Sequence, residues 1–170
     1  MNPVLARWNN LGTAEAVEEI LSCCGAIAWA RGVAARRPIL DEAGLLAASD
    51  EIWSSLAQSE WLEAFRSHPR IGESASPAIS TKKSAAWSGE EQGTVATVSE
   101  DVMQALAEGN RTYEQRFNRI FIVCASGKTA PEILEILERR LKNDETTELR
   151  EAAEQQRQIT QLRLRKWLAS

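Results

Sequence analysis

Apolar residues recur along most of this chain at intervals of three and four, the spacing of one helix face, and the pattern predicts an almost wholly helical protein. A first helix is expected from Ala14 to Cys24, with Thr13 as cap, Glu15 complementing the dipole and Gly25 as stop. A second spans about Ala26 to Arg36 and halts before Pro38, because the residue preceding proline resists helical dihedrals. Ser49 is expected to cap a third helix carrying Ile52, Trp53 and Leu56. Ser59 would cap a fourth, with Trp61, Leu62 and Phe65, closing just before His68-Pro69. The Ser/Ala/Lys-rich stretch from Ile71 to Ala86, with Gly72 and Pro77, reads as a loop, and loops of that length tend to carry function. Helix resumes at Ser88, pauses near Thr97–Ser99 and runs to about Glu108, while Tyr113 and Phe117 keep helical spacing as far as Asn118. Ile120 to Ala125 is a short apolar run for which strand and buried extended segment both stay open. Pro131 suits the first turn of a helix reaching about Leu141, and a long last helix covers roughly Thr146 to Leu168. The expected fold is all-α: a single domain over residues 1–170, a bundle of about seven to nine helices with at most one short extended segment near 120–125.

Three residues sit oddly in that pattern. At about 100° per residue counted from Leu149, Ile159 falls near 280°, Arg163 near 320° and Trp167 back at zero, so Arg163 stems from the middle of an apolar stripe. A buried arginine needs a partner. It pairs either with a structural carboxylate or with a planar anion, such as a substrate carboxylate, which its fork holds bidentately. His68 stands at a helix exit, pinned by Pro69. Its imidazole suits proton transfer near neutrality, or else caps the preceding helix end, where a cation is welcome. Glu91 closes a capping box with Ser88, but shares a helical face with Val95 four residues on, so it looks inward as much as backward. Gln92 adds an amide beside it. An imidazole, a carboxylate and a guanidinium make a credible cofactor-free site for a small carboxylated molecule.

Composition narrows the classes. Of 170 residues, 44% are apolar and 26% charged, as in ordinary soluble proteins. Lys+Arg 20 against Asp+Glu 24 gives −4, which argues against nucleic acid as a partner. No apolar run approaches the roughly 18–20 residues of a membrane span, and Met1 to Asn10 lacks a signal pattern, so a cytoplasmic location is expected. One histidine excludes His-rich zinc or copper sites. The adjacent Cys23 and Cys24 and the distant Cys124 have neither disulfide-framework nor metal spacing and read as buried, reduced thiols. Most of the six tryptophans fall at core spacing, with Trp8 or Trp87 available for an interface.

The run Trp61-Leu62-Glu63-Ala64-Phe65-Arg66-Ser67-His68-Pro69-Arg70-Ile71-Gly72-Glu73 resembles the signature of the 2-oxo-4-hydroxy-4-carboxy-5-ureidoimidazoline (OHCU) decarboxylases of urate degradation. Supporting blocks are Cys23-Cys24-Gly25, Arg36-Arg37-Pro38, Ser88-x-x-Glu91-Gln92, Asn110-x-x-Tyr113, Phe121-Ile122-Val123-Cys124-Ala125, Arg140-Leu141-x-Asn143 and Leu162-Arg163-Leu164, in family order over nearly the whole chain. The resemblance implies an all-α fold, no metal or organic cofactor, a homodimer, and decarboxylation of OHCU to (S)-allantoin. It implies that His68 is the catalytic proton donor and Glu91 the catalytic or orienting carboxylate. Pro69, Ser88, Gln92 and Arg163 match substrate-contacting positions, and Phe121, Ile122, Val123, Cys124 and Ala125 match a segment offering backbone groups to the ligand. Where many relatives read Phe-Gly, this chain has Phe117-Asn118; asparagine also tolerates the left-handed conformation, so the turn can survive. The loop Ser74 to Ala86 carries no matching motif. Two rivals stand beside this reading: a ring-opening hydrolase or cyclase acting on a related imidazoline or hydantoin, and a non-catalytic helical interaction module.

Overall fold

Capping chemistry decides where most of the helices begin. A computed structural model describes residues 1–71, 90–91 and 99–170, and eight helices have their bounds among them, with no strand. Helix α1 (Pro3–Asn9) starts where Asn2 Oδ1 accepts the amides of Val4 and Leu5 at 2.9 and 3.2 Å. Sequence periodicity gave no hint of it, since so short a helix offers only Val4, Leu5 and Trp8 as buried positions. Helix α2 (Thr13–Leu21) includes Thr13 in its first turn; the cap is Gly12, whose amide donates to the Glu15 carboxylate at 3.2 Å. The helix stops at Leu21 with Ser22 as its C-cap, short of the expected end at Cys24; Gly25 follows at φ 86°, a left-handed conformation that glycine adopts without steric cost, its amide donating to the Leu21 carbonyl at 2.8 Å. Helix α3 (Ile27–Ala34) ends short of Pro38.

Helix α4 (Glu42–Ser55) begins well before the predicted start at Ser49. Asp41 caps it, its Oδ1 accepting the Gly44 amide at 2.8 Å. Ser49 is buried mid-helix, its hydroxyl accepting Trp29 Nε1–H at 3.2 Å. Leu45 and Ala48 extend the buried face backward through an Ala-rich stretch of high helix propensity, which overrides a serine's preference for caps. Helix α5 (Gln58–Phe65) likewise takes Ser59 into its first turn, with the Ala57 amide donating to the Glu60 carboxylate at 2.8 Å.

Helix α6 (Glu100–Phe117) is continuous through the polar stretch and ends at Asn118, whose φ 53° and ψ 35° are left-handed. The Asn118 amide closes the helix on the Glu114 carbonyl at 2.8 Å, so asparagine does the work expected of a C-terminal glycine. Thr129 and Glu132 cap α7 (Ala130–Arg140) reciprocally, and Asp144 Oδ1 caps α8 (Glu145–Leu168) by accepting the Thr147 amide at 2.8 Å. Phe121–Ala125 is buried without strand pairing, which resolves the ambiguity of that run.

The described residues group into two compact units, Met1–Ala64 with Arg157–Ser170, and Phe65–Gln156; the boundaries fall inside α5 and α8 rather than in a linker. In the first, α2 packs on α3 and α3 on α4. Trp8 is fully buried there, edge-on to Trp167 at 5.7 Å and donating to the Ala16 carbonyl at 2.9 Å, so it belongs to the core and not to an interface. Trp87 lies outside the described residues. In the second unit, Leu106, Tyr113 and Phe117 of α6 meet Phe121, Val123 and Ala125 of the 121–125 segment and Ala130, Ile133 and Leu137 of α7. Gly109 permits the close approach of α6 to α7: a Cβ there would lie 2.5 Å from Leu137 Cδ2.

Candidate active site

His68 follows the end of α5, its amide donating to the Phe65 carbonyl at 3.2 Å. The imidazole is 7% exposed, and its Nε2 lies 2.7 Å from Oε1 of Gln156 on α8. The two residues after Pro69 are tethered to α6. Arg70 pairs with Glu114 at 2.6 Å, and the Ile71 carbonyl accepts from Asn110 Nδ2 at 3.4 Å. Since proline removes one backbone torsion and α6 holds the chain just beyond it, His68 leaves α5 on a constrained path.

The segment Phe121–Ala125 is fastened by side chains from α7, α8 and the intervening loops. Arg140 Nη1 donates to the Ile122 carbonyl at 2.6 Å, Gln155 Oε1 accepts the Cys124 amide at 2.8 Å, and Lys128 Nζ donates to the Cys124 carbonyl at 2.8 Å. The Cys124 N–H, expected to face a ligand, is therefore taken by the protein itself. Behind the segment, the guanidinium of Arg140 pairs with Glu148, both side chains fully buried. Tyr113 Oη donates to the same carboxylate at 2.6 Å, and Asn143 Nδ2 donates at 3.0 Å. Burial, together with the hydrogen bond and charge of Glu148, holds the Tyr113 hydroxyl well above the usual phenol range, so it stays a donor at all physiological pH.

Two neighbouring glutamines of α8 thus tie the imidazole and the 121–125 backbone to one turn of helix. Neither was singled out from the sequence, yet the signal was present. The count that flags Arg163 places Gln156 at about 340° and Thr160 at about 20°, two polar side chains on the same apolar stripe. Of the Arg140–Glu148–Tyr113 network, Arg140 and Tyr113 stood in sequence blocks without a role, and Glu148 in none.

Of the remaining expected site residues, Glu91 is helical and half-buried, and Pro69 is half-buried. Ser88 and Gln92 lie outside the described residues. Arg163 belongs to the other compact unit and is fully buried, as its position in the stripe predicts. Its positive charge reaches Cys24, whose thiol hydrogen-bonds with Thr160. Burial pushes that thiol up to about 12, outweighing the downward pull of the Thr160 and Ala26 hydrogen bonds and of Arg163, so Cys24 is a neutral thiol. All three cysteines are buried and outside any disulfide, as expected of packing thiols. Among the described residues, no group of three His, Cys, Asp or Glu side chains is placed to hold a metal ion, and no helix is long and apolar enough to cross a membrane.

A family model described as OHCU decarboxylase matches residues 9–165. The uric acid degradation bifunctional protein TTL of Arabidopsis thaliana is 37% identical over 144 residues, 85% of this chain and 44% of that protein. The chain therefore spans less than half the length of this curated relative. A crystal structure of OHCU decarboxylase in the presence of (S)-allantoin is 34% identical with a TM-score of 0.76, covering 90% of this chain and 99% of that one. A crystal structure of (S)-allantoin synthase gives a TM-score of 0.71 over 96% of this chain and 53% of that one; at 16% identity this is a likeness of fold.

Proposed function

The chain belongs to the OHCU decarboxylase family, and from that premise we propose that it removes carbon dioxide from OHCU to yield (S)-allantoin in urate degradation. The observation that carries the reading is the buried imidazole of His68 within the Ser67-His68-Pro69-Arg70-Ile71 run, in a chain matching the family over residues 9–165. The chemistry suits a protein with one histidine. In OHCU the carboxylate and a hydroxyl share one ring carbon, and the neighbouring carbon carries the ureido group and a double bond to ring nitrogen. As carbon dioxide leaves, the electrons of the broken carbon–carbon bond form a new double bond between these two carbons, and the imine electrons pass to nitrogen. The resulting enol becomes the ring carbonyl when the ureido-bearing carbon is protonated, with net uptake of one proton. The substrate supplies its own electron sink, so the scheme uses no cofactor. What the protein must add is orientation and protonation from one face.

In this scheme His68 delivers the proton that sets the (S) configuration, and Glu91 with Gln92 orients the hydroxyl or ureido group. Arg163 holds a substrate oxygen through its planar fork, with Pro69, Ser88 and the segment Phe121–Ala125 shaping the cavity. Because the Cys124 amide is engaged by Gln155, the segment's contacts fall to its other backbone groups. The catalyst works as a homodimer, as the family resemblance implies.

The test is time-resolved chiral detection of allantoin from freshly generated OHCU. Enantiomeric excess of the (S) form with release of carbon dioxide is expected; ring opening without carbon dioxide would replace this reading with a hydrolase. Arg163→Lys should raise KM by roughly tenfold or more, because an ammonium cannot reproduce a bidentate fork. An unchanged KM would make Arg163 a purely structural cation.

A further inference from the structure

We propose that Gln156 is a positioning residue that fixes the tautomer of His68, holding the proton on Nε2 so that Nδ1 is the atom that exchanges a proton with substrate. The inference rests on the decarboxylase reading for its kinetic consequence, but not for its structural claim. The amide oxygen of Gln156 lies 2.7 Å from Nε2, and the two side chains are 0% and 7% exposed. An amide oxygen carries no proton and only accepts, so the hydrogen bond requires Nε2–H in both the neutral ring and the imidazolium. The two ring nitrogens are thereby made unequal: Nε2 keeps its proton throughout, and Nδ1 is the one that gains and loses it.

The placement of Gln156 argues for this role over simple packing. It stands on the apolar stripe of α8, where a leucine or methionine would fill the space without the cost of burying an amide. The preceding residue, Gln155, uses its own Oε1 to hold the Cys124 amide at 2.8 Å. One turn of α8 therefore sets both the ring of the proton donor and the backbone of the segment assigned to the ligand. A fixed tautomer matters for a reaction whose product configuration depends on which face receives the proton. A ring free to carry its proton on either nitrogen spends part of its time with the wrong one.

The chain has a single histidine, so uniform labelling with 15N-histidine yields one imidazole spectrum without assignment. The neutral ring in the wild-type protein is expected in the Nε2–H form. Gln156→Met keeps the length of the side chain and removes the acceptor; it should admit the Nδ1–H form and lower kcat for (S)-allantoin formation by about tenfold or more, with KM within about twofold. Gln156→Glu restores an acceptor oxygen and should restore the Nε2–H form. A packing role would reduce stability in Gln156→Met and leave both the tautomer and kcat where they were, which would overturn the proposal. An Nδ1–H ring in the wild-type protein would also overturn it, and that measurement needs no variant to fold. A wild-type protein that makes no (S)-allantoin yet shows Nε2–H would sink the decarboxylase reading and leave the tautomer assignment standing.

Discussion

His68→Asn is expected to lower kcat for (S)-allantoin formation by about 10²–10⁴-fold, the usual worth of a positioned general acid, while the helical circular dichroism stays that of the wild type. Asparagine offers an amide donor of similar polarity but cannot release a proton near neutrality, so the ureido-bearing carbon would be protonated by solvent from either face. The variant should therefore lose enantiomeric excess along with rate, because OHCU also decays on its own to racemic product. The fold should survive, since His68 follows α5 without forming part of it and the tethers of the next two residues, Arg70 to Glu114 and Ile71 to Asn110, do not involve the ring. Near-native turnover with undiminished (S) excess would remove His68 from the mechanism.

The largest effect on stability is expected at Arg140. Arg140→Met should cost about 3–5 kcal/mol, the range for breaking a buried ion pair from one side. Its side chain and that of Glu148 are both fully buried, with Arg140 Nε 2.9 Å from Glu148 Oε1. Removing the guanidinium leaves a buried carboxylate that still accepts from the Tyr113 hydroxyl and the Asn143 amide. It also removes the donor to the Ile122 carbonyl and the cation 4.6 Å from the Phe121 ring. Urea unfolding monitored by circular dichroism gives the measurement, and a fall in Tm on the order of 10 °C should accompany it. The double variant Arg140→Met/Glu148→Leu should recover part of the loss, because it no longer buries an unpaired charge. A single variant within 1 kcal/mol of the wild type would mean that solvent reaches Glu148 and that the pair does not brace the 121–125 segment.

These two sites also differ in how far the sequence announced them. His68 stood out by type and place: one imidazole in the chain, at a helix exit before proline. Arg140 did not, because an arginine in the last turn of a helix is ordinary, its charge suiting the dipole at that end. Only the return of α8 past α7 turns it inward upon Glu148, eight residues away. Ser49 shows the opposite failure. Local preference named it a cap, and the packing of α4 against Trp29 made it a buried interior residue.

From sequence alone came the all-α class, the span of the last helix and the burial of Arg163. Each depends on interactions within a few residues or on a periodicity of 3.6, and a chain carries that information locally. Tertiary structure alone decided that Ile120–Ala125 forms no strand, that α4 starts at Asp41's cap, and that Gln156 meets His68 across 88 residues of chain. Contacts of that kind depend on which faces the helices bury against each other, and no local preference encodes the partner.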